Sequence, residues 1–206
     1  MRYKPQHKQE TRGRIVNAAG RLFRAHGYEA TGVDAIMAEA GLTPGAFYAH
    51  FPSKQALLVE TLSQRLGESA ARVSKAGGKN GAGLAALVGR YLCVGHRDDP
   101  AAGCPIPSLA AEVSRLALGT RREFGKAMTE YLASVEAFMP GASRAKRRER
   151  ALVTVSTLVG AMTMARAVGD KALSEEVLEA ARHALLDTPE IRASPAGATR
   201  KKRRRS

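Results

Sequence analysis

Apolar side chains return every three or four positions along almost all of this 206-residue chain, the spacing that gives a helix one buried face. The pattern tightens once, at GLTPGAFYAHFPSK, residues 41–54, where two prolines leave room for only a very short helix. Upstream, Ile15, Ala18, Ala19, Leu22 and Phe23 line one face of a first helix from about Thr11, with Arg12, Arg14, Arg21 and Arg24 mostly elsewhere, and Gly27 ends it. A second helix follows Thr31, carries Val33, Ile36, Met37 and Ala40, and stops at Gly41. Thr43 is in position to be an N-cap with Pro44 first in the third helix, which must finish by His50 or Phe51 because Pro52 follows. Ser53 then caps a fourth helix carrying Leu57, Leu58, Leu62 and Leu66 to about Lys75.

Two short helices joined by a tight turn at Gly41 and backed by a first helix make a helix-turn-helix, whose second helix meets the DNA major groove by its N-terminal end. The small residues Thr43, Pro44, Gly45 and Ala46 let that end approach base edges closely. Phe47 and Phe51, four apart, pack back on the first helix, while Tyr48 and His50 point outward to hydrogen-bond phosphates. Lys54 adds a cation at a helix N-terminus beside the same backbone. A compact three-helix core with His50 as a helix-end cap is the plainer alternative.

The run FRAHGYEATGVDAIMAEAGLTPGAFYAHFPSKQALL resembles the DNA-binding domain of the TetR family of bacterial transcriptional regulators, over about residues 10–60 without a gap. It departs from the commonest pattern at Pro44 and Ala46, which bears on the base sequence read. The resemblance implies that Thr43, Gly45, Ala46 and Ala49 face bases and that Thr31, Tyr48, His50 and Lys54 hold phosphates. Small side chains offer few bidentate base contacts, so the affinity is expected to be strongly electrostatic and salt-sensitive.

Charge agrees with a polyanionic partner: 33 Lys and Arg against 19 Asp and Glu give +14. Six of those charges lie in the run 200–205, so the remaining chain still carries +8. That run follows a Pro/Ala/Gly/Ser stretch and reads as a disordered tail, residues 191–206. No window of about 18 apolar residues occurs and the N-terminus has no signal core, so a soluble, cytoplasmic protein with no membrane partner is expected. Two cysteines are too few for a disulfide framework.

The expected architecture is all-α with about nine helices: a DNA-binding domain at 1–53 and a helical effector-binding and dimerisation domain at 54–190. Beyond the glycine-rich stretch 77–83, helices are expected at about 84–92, 108–116, 120–138, 143–168 and 174–187, with residues 96–107 a turn region. Around the penultimate helix Leu152, Val155, Leu158, Val159, Met162 and Ala165 are apolar over much of the circumference, and the last adds Val177, Leu178, Ala181 and Leu185. That pair suits an intersubunit four-helix bundle and resembles the family's homodimer interface, which would place two recognition helices on a palindrome. A monomeric core helix is the alternative. The resemblance also implies a small-molecule effector cavity, for which Tyr91, His96, Cys104, Phe124, Met128, Tyr131 and Met162 are the candidates, with Leu132 and Met164 beside them. The same stripe reads equally as core.

Cys93, His96 and Cys104, with Asp98 and Asp99 nearby, lack the paired spacing of a zinc finger, and no metal or other cofactor is expected. Cys104, before Pro105 at a helix start, is placed to sense oxidants or electrophiles; two inert thiols are the plainer reading. The glycine stretch lacks the Gly-Lys-Ser/Thr order of a phosphate-binding loop, and no catalytic motif occurs, so no enzyme is expected. A DNA-coating or architectural protein is the rival, encouraged by the tail and by RAKRRER at 144–150, which reads more simply as a solvated helix face.

Overall fold

The computed structural model describes residues 5–76 and 82–187, and the described residues are helical without strands. The basic tail at 191–206 and most of the glycine-rich stretch, residues 77–81, lie outside the described residues. In chain order the helices are α1 (Pro5–His26), α2 (Val33–Glu39), a 3-10 helix (Pro44–Ala49), α3 (Lys54–Ala76), α4 (Ala82–Tyr91), α5 (Val94–Asp98), α6 (Pro105–Val113), α7 (Leu118–Glu136), α8 (Arg144–Ala167) and α9 (Lys171–Leu186).

Two shifted helix starts and one additional helix have reasons visible in the chain. Helix α1 begins at Pro5, six residues early, because proline fits the first helical position, where its missing N–H is not needed. By the same rule α6 begins at Pro105 after Cys104 and accommodates Pro107 in its first turn. The expected turn region also contains the five-residue α5, too short to show an apolar period.

The chain forms two compact units, one comprising the described residues up to Leu66 with Asp99–Ala127, the other Gly67–Asp98 with the described residues from Met128. The boundary expected at 53/54 thus falls inside the first unit, which also takes in α6 and the start of α7.

In the first unit Ile15, Val16, Ala18, Ala19 and Phe23 of α1 are buried with Ile36, Met37, Phe47, Phe51, Leu57, Leu58 and Leu62. Leu109 and Val113 of α6 complete this core, and Leu116 and Phe124 pack against it. Two glycines set the turns. Gly41, at φ 65°, donates to Ala38 O (2.9 Å) while Leu42 N donates to Met37 O (2.9 Å), a Schellman cap, and Leu42 packs on the core below. The Arg14 guanidinium takes Ala40 O at 2.6 Å and so satisfies a further carbonyl at that helix end.

Gly27, at φ 88°, closes α1 by donating to Phe23 O at 2.9 Å. A Cβ there would lie 3.0 Å from Glu112 Oε1, and the same carboxylate accepts from Tyr28 N at 2.8 Å. Gly27→Ala is therefore expected to destabilise the protein by about 1–2 kcal/mol, from the left-handed backbone and the displaced carboxylate. An unchanged or raised thermal midpoint would contradict this.

The second unit is built around α8, which packs along α9, while α4 packs on α9 and α5 on α8. Ser143 and Asp170 cap α8 and α9, accepting from Lys146 N (3.2 Å) and Leu173 N (2.7 Å). Three arginines fix the short α5 and its entry: Arg97 donates to Ser174 Oγ (3.1 Å), Arg166 to His96 O (2.6 Å), and Arg182 to Leu92 O.

Candidate nucleic-acid interface

Prolines 44 and 52 confine the recognition segment to six helical residues, and the tight 3-10 winding follows from that length. Thr43 occupies the N-cap position with extended backbone, yet its side chain makes no capping bond, a correction to the expected cap. Pro44 does stand at the helix start. Winding sorts the side chains: Phe47 is fully buried, its ring 5.9 Å from that of Phe51, while Tyr48 is 72% exposed with its ring edge-on to Phe47 at 5.2 Å. The exposed residues are thus Thr43, Pro44 and Gly45 at the start of the helix and Tyr48 and Ala49 in its last turn, and a Cβ on Gly45 would meet nothing within 4 Å. Ala46 is half-buried against the core, so of the four small base-facing candidates it alone turns partly inward.

His50 is half-buried at the C-cap of this helix, where its N–H donates to Phe47 O at 2.9 Å and its carbonyl accepts from Arg12. Its Nδ1 is buried and unpartnered among the described residues. Burial first, then the cations Lys8 and Arg12, hold its pKa below the usual histidine value, which keeps the ring neutral at pH 7.

Two expected phosphate contacts are placed differently. Thr31 is 3% exposed and its hydroxyl donates to Gly27 O at 2.6 Å, so it closes the end of α1 and is not directed at solvent. Lys54 is half-buried, with Nζ donating to Tyr28 O (3.0 Å) and Thr31 O (3.2 Å) and lying 4.3 Å from the Tyr28 ring centroid. It ties the start of α3 to the α1–α2 loop and keeps one of its three N–H groups for another acceptor. Arg12 plays a similar part, donating from Nε to Glu60 Oε1 (3.0 Å), reaching the His50 carbonyl, and lying 4.0 Å from the Phe51 ring centroid. Sequence spacing did not expose these roles, because the partners are 23 to 48 residues away along the chain.

The other candidates divide between the units. Cys104 is buried in the first, and Phe124 packs on the first unit's core. Tyr91, His96, Met128, Tyr131 and Met162 are in the second, where Tyr91, Tyr131 and Met162 are buried, Met128 is half-buried, and the Tyr91 and His96 rings meet edge-on at 4.5 Å. Among the proposed dimer residues, Val155, Leu158, Leu178 and Leu185 are buried inside the second unit itself, which corrects their assignment to a partner-facing surface. Leu152 is exposed and Val159, Val177 and Ala181 are half-buried; with Val153, Met164 and Leu173, which are 58%, 58% and 46% exposed, they form the outward apolar part of α8 and α9. Among the described residues no three His, Cys, Asp or Glu come together to hold a metal, and no helix is long and apolar enough to cross a membrane.

An all-helical chain whose buried Phe47 and Phe51 anchor a six-residue helix with an exposed, small-residue N-terminal end has the design of a helix-turn-helix DNA-binding protein. The family model described as bacterial regulatory proteins, tetR family, matches residues 15–61. The transcriptional regulator LmrA of Bacillus subtilis is 29% identical over 159 residues, covering 74% of this chain and 82% of LmrA. In fold the chain is similar to the reduced form of Escherichia coli NemR (TM-score 0.72, 21% identity, 86% of this chain and 96% of that one). It is similar also to a TetR regulator of Chloroflexus aurantiacus (TM-score 0.68, 25% identity, 87% and 94%). Residues 15–61 thus carry the DNA-binding domain of the tetR family of bacterial regulatory proteins, and the chain around them is similar in fold to TetR regulators.

Proposed function

We propose that this regulator is a homodimeric repressor that reads a palindromic operator with the 3-10 helix and is released by a small-molecule effector bound in the second unit. The observation that carries the DNA reading is the exposed start of that helix, Thr43, Pro44 and Gly45, with Ala49 exposed at its last residue, held in place by the buried Phe47. Phosphate contacts fall to Tyr48, to His50 and to Lys54 through its remaining donor. The effector surface draws on Tyr91, His96, Met128, Tyr131 and Met162, adaptable sulfur and aromatic groups suited to an apolar molecule with one or two polar atoms. Release is a shift between two states, moved only by the effector's preference for one of them.

Dimerisation through α8 and α9 is supported by the apolar area they leave open. Gly160 is exposed in mid-α8, and a Cβ there would meet nothing within 4 Å in the chain itself. Gly160→Glu should thus raise the stability of the isolated chain by about 0.5–1 kcal/mol, since glycine is a poor helix former. In a dimer it buries unpaired charge at the seam, so sedimentation should shift from dimer to monomer. A dimer that persists would move the interface elsewhere.

A cysteine-based response is a second reading, favoured by the partial exposure of Cys93, whose thiol donates to Arg90 O at 3.3 Å, and by the likeness to NemR, solved in a reduced form. Peroxide that weakens duplex binding of the wild type but not of Cys93→Ser would support it. Equal sensitivity of both would remove it.

A further inference from the structure

In the first unit, hereafter the head, all four arginines of α1 are committed to internal contacts: Arg12 pairs with Glu60, Arg14 with the Ala40 carbonyl, Arg21 with Glu39 (2.6 Å) and Arg24 with the Ala101 carbonyl (2.7 Å). A different set is left over. Arg115, between α6 and α7, and Arg121 and Arg122, the fourth and fifth residues of α7, are exposed, and their side chains pair with none of the described residues. The nearby carboxylates are occupied, Glu112 by Tyr28 N (2.8 Å) and Glu123 by Lys126 (2.7 Å).

Two anchors place this cluster. Thr120 is buried and accepts from Gln55 Nε2, so the start of α7 lies beside the start of α3, next to Lys54. Phe124, one turn on, packs against the core. With Thr120 and Phe124 facing inward, helical geometry turns Arg121 and Arg122 away from the core. Glu112 likewise pins the end of α6 to the Tyr28 backbone, whose carbonyl Lys54 also holds, and Arg115 follows one turn later.

The geometry points to a second DNA-phosphate surface, Arg115, Arg121 and Arg122, which extends the contact from the start of α3 onto the duplex flanking the sequence read by the 3-10 helix. Guanidinium groups suit phosphate oxygens, and unpaired ones have no intramolecular bond to give up. The more conspicuous run at the start of α8 is less suited, because Arg144 and Arg148 face Glu136 (3.5 and 4.0 Å) and Lys146 faces Glu149 (2.9 Å).

This inference rests on the DNA-binding reading, and one titration separates the two. Wild type, the triple variant Arg115→Gln/Arg121→Gln/Arg122→Gln and its Arg→Lys counterpart are titrated on a mixed-sequence duplex of about 40 base pairs, long enough for a head and its flanks. Each phosphate contact contributes about 0.9 to the slope of log affinity against log salt, so the Gln variant should be shallower by roughly 1–3 per protomer, and the Lys variant should keep the wild-type slope. The thermal midpoints of all three should coincide, since the side chains are exposed. An unchanged slope in the Gln variant, or equal loss in the Lys variant, overturns the second surface and leaves the head's role intact. Failure of the wild type to bind any duplex would overturn both.

Discussion

Replacing Phe47 by alanine is expected to cost about 3–5 kcal/mol, the usual loss for truncating a buried phenylalanine, and to abolish DNA binding. Phe47 is fully buried and is the largest side chain that fastens a helix of only six residues to the core of the first unit. A segment that short has no helical stability of its own, so its geometry is borrowed from the core. Thermal unfolding and duplex titration of the same variant check both halves. Retained duplex affinity in a destabilised Phe47→Ala protein would show that the recognition segment does not depend on this anchor.

Lys54→Ala should lower stability and DNA affinity together. The ammonium holds the Tyr28 and Thr31 carbonyls and sits on the Tyr28 ring, so its removal is expected to cost about 1–2 kcal/mol, at the low end for charge-assisted bonds because the group is half-exposed. One fewer phosphate contact should flatten the salt slope by about 0.9 per protomer. Tyr48→Ala is the informative companion: the ring is mostly exposed, so binding should weaken across all sequences with the thermal midpoint little changed. If both variants bound duplex like the wild type, the phosphate assignment would fall. If Lys54→Ala melted like the wild type, the clamp on the α1–α2 loop would be wrong.

How much of this was legible before the structure depends on the range of the interaction. Local rules were enough for the apolar face of α1, the stop at Gly41, the Ser53 cap, whose Oγ accepts from Ala56 N at 3.0 Å, and the inward Phe47 and Phe51. They also carried the resemblance, which lies in one ungapped stretch. Contacts across long separations left no trace in the spacing. Glu112 reaches the Tyr28 backbone from 84 residues away, and Arg24 reaches the Ala101 carbonyl from 77, so neither could be expected from α1 alone. The same blindness affected the last two helices: an apolar residue at the right period is equally suited to the chain's own core or to a partner, and Leu158 and Leu178 proved to be core. Thr31 and Lys54 were singled out for phosphate and turned out to bind backbone first, because a hydroxyl or ammonium beside a helix end finds an unsatisfied carbonyl there.

The most direct test of the account is selection of bound duplexes from a random-sequence library at near-physiological salt, performed with the wild type and with Gly45→Ser, a change at an exposed position with open space around its Cβ. The account predicts one palindromic motif for the wild type and an altered half-site for the variant. Enrichment without a motif, or the same motif from both proteins, would contradict sequence reading by the exposed end of the 3-10 helix.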